Sequence, residues 1–170
     1  MKEIILFAHP TFGVLGILAA VWLIVEVINA KPENQVRIRY AAYTVAVCIS
    51  LTWLLAGYWY TTFYGAEKAV ILAGPWPWAH NLVMETKEHL FFIPGILALL
   101  LPIVAAKTMA QNRAARLMIV VVAGLIVLNG LAIEGAGAII NAGAKAGFAQ
   151  TAATVQKAAP AQGATTGGQP

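Results

Sequence analysis

The stretch that decides the fold reads HNLVMETKEHLFFIPGILALLL, from His80 to Leu101. It begins with polar and titratable residues and becomes, directly after His89, an apolar run long enough to enter a bilayer. Residues three and four positions apart are neighbours on a helix, so Glu85, Glu88 and His89 are expected to share a face. Placing an ionisable group at membrane depth costs free energy, so such groups are candidates for a functional role.

The composition is that of a membrane protein. Of the 170 residues, 60% are hydrophobic and 11% are charged, whereas a soluble domain carries about 25% charged residues. The net charge is +4, and no basic stretch is interleaved with aromatic residues in the manner of a nucleic-acid-binding protein. The single cysteine, Cys48, excludes an intrachain disulfide and a c-type haem attachment site.

Four apolar segments predict four transmembrane helices. They span residues 4–29, 40–62, 89–106 and 117–140, each close to the ~20 residues that an α-helix needs to cross the hydrocarbon. All arginines lie in two short connections, residues 30–39 and 107–116, and the positive-inside rule places both in the cytoplasm. We therefore expect an all-α, multi-pass protein of the bacterial inner (cytoplasmic) membrane with both termini in the periplasm.

Residues 1–142 are predicted to form one four-helix transmembrane domain. The connection before the third helix contains Pro75-Trp-Pro-Trp78, whose aromatic side chains suit the headgroup zone, and His80 behind it is predicted to be solvated. From Gly143 the chain turns to Ala, Gly, Thr, Gln and Pro. Such a segment buries too little apolar surface to offset its ordering entropy, so residues 143–170 are predicted to be a disordered extramembrane tail.

The two halves of the chain resemble copies of one helical hairpin. The pattern HxxF occurs at positions 9 and 89, GILA at 16 and 95, and AKxxxQxR at 30 and 106. Two crossings per copy give a parallel repeat with a pseudo-two-fold axis along the membrane normal. His9 and His89 are then expected at one level near the outer face, placed as a pair of axial haem ligands would be.

Glu134 in the fourth segment is expected to approach the level of both histidines. Desolvation disfavours a charged carboxylate, so it should be neutral or paired, either with a histidine through a hydrogen bond to the ring or with Lys87. His9 precedes Pro10, and an interfacial histidine at a helix start is the alternative to a ligand role. The sequence contains no Walker loop, nucleophile elbow or HExxH motif.

The residues His9-Pro10, His89 and Gly130-x-x-x-Glu134 resemble those of a family of small four-helix bacterial membrane proteins of unknown function. That family opens its first helix with His-Pro, places a histidine at the start of its third helix and has a Gly- and Glu-rich fourth helix. Its members are expected to bind b-type haem, which is what the resemblance implies here. The family usually carries two further histidines, near the first His-Pro and after the fourth-helix Glu, and this chain has neither.

The leading hypothesis is a membrane b-type cytochrome with a bis-histidine haem near the periplasmic face. His9 and His89 would bind the iron and Glu134 would lie beside them. The haem pocket would be lined by Tyr58, Trp76, Trp78 and Phe92. Such a bundle moves single electrons, so the chain would be an electron-transfer subunit more than a stand-alone enzyme.

Its expected partners follow from that role. Besides the lipid bilayer they are the quinone pool and a periplasmic cytochrome or other membrane redox subunits, and a homo-oligomer is compatible with the sequence. The first alternative is a non-haem site for iron, manganese or zinc, made from His9, Glu85, Glu88, His89 and Glu134. The second alternative is a structural or assembly subunit of a membrane complex.

Overall fold

The structure is a computed structural model that describes residues 1–158, so the predicted tail beyond residue 158 lies outside the described residues. It is all-helical over that range, and four of its helical stretches are long and apolar enough to cross a membrane, as the sequence predicts. The five α-helices are α1 (Lys2–Ile28), α2 (Gln35–Ala73), α3 (Glu85–Leu90), α4 (Phe92–Ala105) and α5 (Arg113–Ala158). Two 3₁₀ turns (Pro32–Asn34 and Met109–Gln111) and a π-helix (Ala79–Met84) complete the chain.

The helices form a four-cornered bundle. α1 packs against α2 and α5, and α4 packs against the same two helices, so α1 and α4 occupy opposite corners. The core is made of fully buried aliphatic side chains such as Leu23, Ile38 and Ile126. Leucines and isoleucines also cover the outside of the bundle, for example Ile96 and Leu128, which fits a protein whose surroundings are as apolar as its interior.

The two arginine-bearing connections lie together at one end of the bundle. The side-chain amide of Gln35 donates to the carbonyls of Ala105 and Lys107, both at 3.0 Å, and its oxygen accepts from the backbone N–H of Met109 at 2.8 Å. The guanidinium group of Arg39 donates to the carbonyl of Ala106 in the same turn at 3.1 Å. We call this the inner end, and the first hairpin is thereby tied to the second.

At the opposite, outer end α2 and α5 extend beyond the predicted crossings. With 39 and 46 residues they are about 58 Å and 69 Å long at 1.5 Å per residue, against roughly 30 Å of hydrocarbon. Their ends enclose the π-helix in a second small core, formed by Tyr64, Ile71, Ala79, Ile140 and Ala144. Helix α2 therefore continues to Ala73, past residue 62, where the second apolar segment is predicted to end.

The predicted disorder is wrong for residues 143–158, which are the continuation of α5. Gly143 and Gly147 are buried there, and a Cβ atom on Gly147 would lie 2.6 Å from the carbonyl oxygen of Val70. A Cβ atom on Gly143 would lie 2.8 Å from the Cβ atom of Ala79. The glycines that suggested disorder instead let α5 approach α2 and the π-helix closely, as small residues do between membrane helices.

The third long helical stretch changes its hydrogen bonding along its length. It begins in the π-helix, continues as α3 and passes through Phe91, whose backbone is also helical, into α4. The π-helix contains a hydrogen bond between residues five apart, in which the N–H of Glu85 donates to the carbonyl of His80. Single π turns are frequent at functional sites, and this one precedes the titratable residues of the third crossing.

Candidate functional site inside the bundle

His9 is half-buried between α1 and α2, and Thr52 fixes its ring. The hydroxyl of Thr52 donates to the carbonyl of His9 at 2.6 Å. Its one proton is then used, so the Nδ1–H of His9 donates to the Thr52 hydroxyl (2.8 Å) and carbonyl (3.1 Å). This fixes the tautomer in which Nε2 carries no proton and remains free to accept one or to bind a ligand.

Glu134 reaches this position from α5. Its carboxylate rests on Gly13, one turn after His9, because a Cβ atom on Gly13 would lie 2.6 Å from Glu134 Oε1 and 3.4 Å from Thr52 Oγ1. The missing side chain of Gly13 thus makes the space that the carboxylate occupies. The expectation that Glu134 approaches the level of His9 agrees with this arrangement.

Lys87 comes from α3 and points between α1 and α5. Its Nζ atom lies 3.2 Å from the Cβ position of Gly137, one turn beyond Glu134. Its charge acts on both Glu134 and His9, yet the ion pairs within 4.0 Å among residues 1–158 are Lys2–Glu67 and Arg37–Glu26. Lys87 and Glu134 therefore interact without direct contact.

His9, Thr52, Lys87 and Glu134 form what we call the interior cluster. Each comes from a different element, namely α1, α2, α3 and α5, and each is half-buried. Three of the four are titratable. Ionisable residues that face the interior of a membrane bundle are candidates for ligand or proton sites, so the interior cluster is the candidate site that we describe further.

A groove of about 280 Å³ opens beside Lys87, between the third crossing and α5. Its walls are largely apolar and include Leu82, Val83, Leu90 and Ile133. Lys87 supplies its only charged group. The groove therefore suits a ligand with an apolar body and a polar head.

His89 does not join the interior cluster. It is exposed, and its Nδ1 atom lies 2.6 Å from the carbonyl of Glu85 in the preceding turn. Residues two apart on an α-helix are about 200° apart around its axis, so His89 lies on the face of α3 opposite to Lys87. The sequence predicts that His9 and His89 face each other across the bundle, and in this arrangement they do not.

The carboxylates of α3 are also divided between faces. Glu85 is exposed, whereas Glu88 is half-buried with its Oε1 atom enclosed and without a hydrogen-bond partner. Over residues 1–158, no three His, Cys, Asp or Glu side chains lie together in a group that could hold a metal ion. The alternative metal set of His9, Glu85, Glu88, His89 and Glu134 is therefore not assembled here.

The four predicted haem-lining residues lie on the surface. Tyr58, Trp76, Trp78 and Phe92 are all exposed, with Trp76 and Trp78 stacked on each other at 5.6 Å between ring centroids. None of them lines the groove beside Lys87. With His89 turned outward as well, the residues do not fit a bis-histidine haem within one chain, and the haem site stays a prediction of the sequence.

His80 is the residue that sequence reasoning missed. Its predicted solvation is wrong, since only 3% of its surface is exposed. Its Nδ1 atom lies 2.9 Å from the hydroxyl of Tyr64, which is 4% exposed. The local sequence around His80 carries no signal for this, because its burial depends on the outer ends of α2 and α5.

No protein-family model, no curated protein and no solved structure matches this chain. The functional argument therefore rests on the geometry of its own residues.

Proposed function

We propose that this chain is a quinone-binding subunit of a membrane electron-transfer complex, with the groove beside Lys87 as the quinone site. The observation that carries the proposal is the position of Lys87. Its side chain lines an apolar groove, and its Nζ atom lies 3.2 Å from the Cβ position of Gly137, one turn beyond Glu134. A charged donor in such a place binds an acceptor far more strongly than it would in water.

The charge balance of the interior cluster favours a neutral acceptor over an anion. Glu134 already offsets the charge of Lys87, so a fatty acid or phosphate head would add an uncompensated negative charge to a poorly solvated site. A quinone carbonyl accepts a hydrogen bond from the ammonium group without that cost. Its isoprenoid chain matches the apolar walls of the groove.

The titratable residues supply the protons that quinone chemistry needs. Reduction of a quinone to a quinol takes up two electrons and two protons. In our proposal the two electrons come from a partner redox subunit. The Lys87 ammonium donates the first proton, and the second comes from water, taken up by the Glu134 carboxylate or by His9 Nε2 and passed on through Lys87. Positioned acids and bases of this kind are the usual means of proton transfer at a reacting group.

The finer expectations from the sequence belong to the same proposal. The protein would lie in the bacterial inner membrane with its inner end in the cytoplasm, both termini in the periplasm, and membrane redox subunits or a periplasmic cytochrome as partners. It would consist of two duplicated hairpins. In support, a 3₁₀ turn follows the first hairpin helix in each half, and both turns lie at the inner end.

The test is binding of ubiquinone-1 to the purified protein in lipid nanodiscs, measured by equilibrium dialysis. We expect Lys87→Met to weaken binding by about 10- to 100-fold, because a hydrogen bond from a charged group is worth about 1.5–3 kcal/mol. The matched control is Lys145→Met, which removes an exposed lysine of α5 and should leave binding unchanged. Equal binding by the two variants, or none by the wild type, would overturn the proposal.

Two companion measurements separate the alternatives. Displacement of ubiquinone-1 by oleate at equal concentration would indicate an anion site and contradict the charge argument. A reduced-minus-oxidised optical spectrum tests the haem hypothesis directly. Soret and α bands that vanish in His89→Ala and persist in His80→Ala would restore the bis-histidine haem, and the quinone site would then need to coexist with it.

A further inference from the structure

We propose that Tyr64 and His80 form a redox-active tyrosine–imidazole pair at the outer end. In this pair Tyr64 is oxidised by one electron while its phenolic proton passes to His80. The proposal does not depend on the ligand of the groove beside Lys87, since Tyr64 belongs to the second core and His80 is hydrogen-bonded to it. It rests on three observations.

The first observation is a short and enclosed hydrogen bond. The Tyr64 hydroxyl and His80 Nδ1 are 2.9 Å apart, and both residues are nearly inaccessible. A phenol is the better donor of the two, so the neutral imidazole accepts at Nδ1 and carries its own proton on Nε2. The proton acceptor is therefore already in place on the atom that the phenolic proton would join.

The second observation is a stacked aromatic path to the surface. Tyr60 lies one turn before Tyr64, and their rings stack with centroids 5.3 Å apart and planes 23° apart. Tyr60 is 38% exposed, so an oxidant at the surface can contact it. An electron leaving Tyr64 thus has a second phenol in van der Waals contact on its way out.

The third observation is the charge around His80. Burial disfavours a charged ring, as does the charge of Lys68, and the carboxylates of Glu85 and Glu88 act against both. Glu88 also acts on both Tyr60 and Tyr64, and its enclosed Oε1 atom has no hydrogen-bond partner among the described residues. The two carboxylates thus offset part of the cost of forming the imidazolium ion that the proton transfer produces.

The reaction balances with one external oxidant. A one-electron oxidant such as a high-potential metal centre takes an electron from Tyr64 by way of Tyr60. The phenolic O–H bond breaks, an Nδ1–H bond forms on His80, and the products are a neutral tyrosyl radical, an imidazolium and the reduced oxidant. On return of the electron the proton moves back.

The experiment uses flash-generated tris(bipyridine)ruthenium(III) as the oxidant of the full-length protein in nanodiscs. Tyrosyl radical is followed by transient absorption and by electron paramagnetic resonance. We expect a long-lived radical in the wild type, its loss in Tyr64→Phe, and its retention in Tyr40→Phe, which removes an exposed tyrosine at the other end of α2. A radical of unchanged yield and lifetime in Tyr64→Phe would overturn the proposal.

A second variant tests the role of the imidazole. His80→Gln keeps a hydrogen-bonding side chain but removes the proton acceptor. Oxidation of Tyr64 should then slow by about 100-fold, the lower end of what a positioned proton acceptor contributes. If the rate is unchanged while circular dichroism shows native helix content, the hydrogen bond serves only to join the π-helix to α2.

Discussion

The inner end and the interior cluster differ in how completely their polar side chains are hydrogen-bonded. At the inner end Asn34 donates to the backbone and carboxylate of Glu26 at 3.0 and 2.9 Å and accepts from the N–H of Lys31 at 2.8 Å. Glu26 also holds Arg37 at 3.0 Å. The side-chain groups of Asn34 and Glu26 thus all have fixed partners, which is what a structural network requires.

The interior cluster leaves bonding capacity unused. Lys87 and Glu134 interact without contact within 4.0 Å, since neither takes part in the ion pairs of the described chain. Nearby on α5, the enclosed Oδ1 atom of Asn129 has no partner in the part of the chain that the structure describes. Buried polar groups that stay unsatisfied cost stability, and this difference in bonding is why we propose the ligand site at the interior cluster.

The largest effect is expected from removing one charge of the interior cluster. Glu134→Met leaves Lys87 without its counter-charge and should lower the free energy of unfolding by about 3 kcal/mol, whereas Glu134→Met combined with Lys87→Met should recover most of the loss. Unfolding is followed by circular dichroism during sodium dodecyl sulfate titration in mixed micelles. Losses that simply add in the double variant would show that the two groups are independent.

Breaking the network of the inner end should cost slightly less. Asn34→Ala removes the donors to Glu26 and the acceptor for Lys31, and should lower the free energy of unfolding by about 2–3 kcal/mol. Asn29→Ala is the control, since Asn29 is exposed and its amide donates to Val25 of its own helix. The same titration should show a change of about 0.5 kcal/mol for the control, and equal losses would contradict the network.

A smaller effect is expected where Gly13 makes space for Glu134. A Cβ atom in Gly13→Ala would lie 2.6 Å from Glu134 Oε1, so the carboxylate must shift, at a cost of about 1–2 kcal/mol for overpacking. Ubiquinone-1 binding should weaken as well. In Gly57→Ala the new Cβ meets nothing within 4 Å, so that helix should be stabilised by about 0.5–1 kcal/mol. If both variants change stability alike, Glu134 does not rest on Gly13.

The smallest effect is expected at Asn129. Its enclosed oxygen lacks a partner among the described residues, so Asn129→Leu removes a desolvation cost and should raise the free energy of unfolding by up to about 1 kcal/mol. The contrast with Asn34 is the informative quantity, because the amide oxygen of Asn34 has a partner there and that of Asn129 has none. A loss near that of Asn34→Ala would reveal a partner that Asn129 binds in the membrane.

The four long apolar helices were predictable because the thickness of the hydrocarbon alone sets a length of about 20 apolar residues. The two connections of the inner end were also predictable, because their arginines mark them as segments between apolar helices. The rotation of each helix about its own axis was not predictable. Lipid is as apolar as the core, so no polar stripe distinguishes the outward face, and the sequence favoured His89 over Lys87 as the inward residue of α3.

The outer end was predicted least well. The prolines before His80 and the glycines after Gly143 are local signals of loop and disorder, and both were overridden by contacts between segments far apart in sequence. Gly143 and Gly147 allow a close approach of α5, and that approach buries the π-helix with His80. A signal of this kind exists only in pairs of helices, so reading one segment at a time cannot reveal it.

The wide turn at Ala79–Met84 fixes which side chain of α3 meets α5. A π turn holds one residue more than an α turn, since its bonds join i to i+5. Deleting Asn81 would let this segment close as an α-helix and rotate α3 by about 100°, which would carry Lys87 away from Glu134. The chemistry of the bundle interior is thus governed by backbone length several residues upstream, and a gain or loss of one residue there would alter it without replacing any residue of the site.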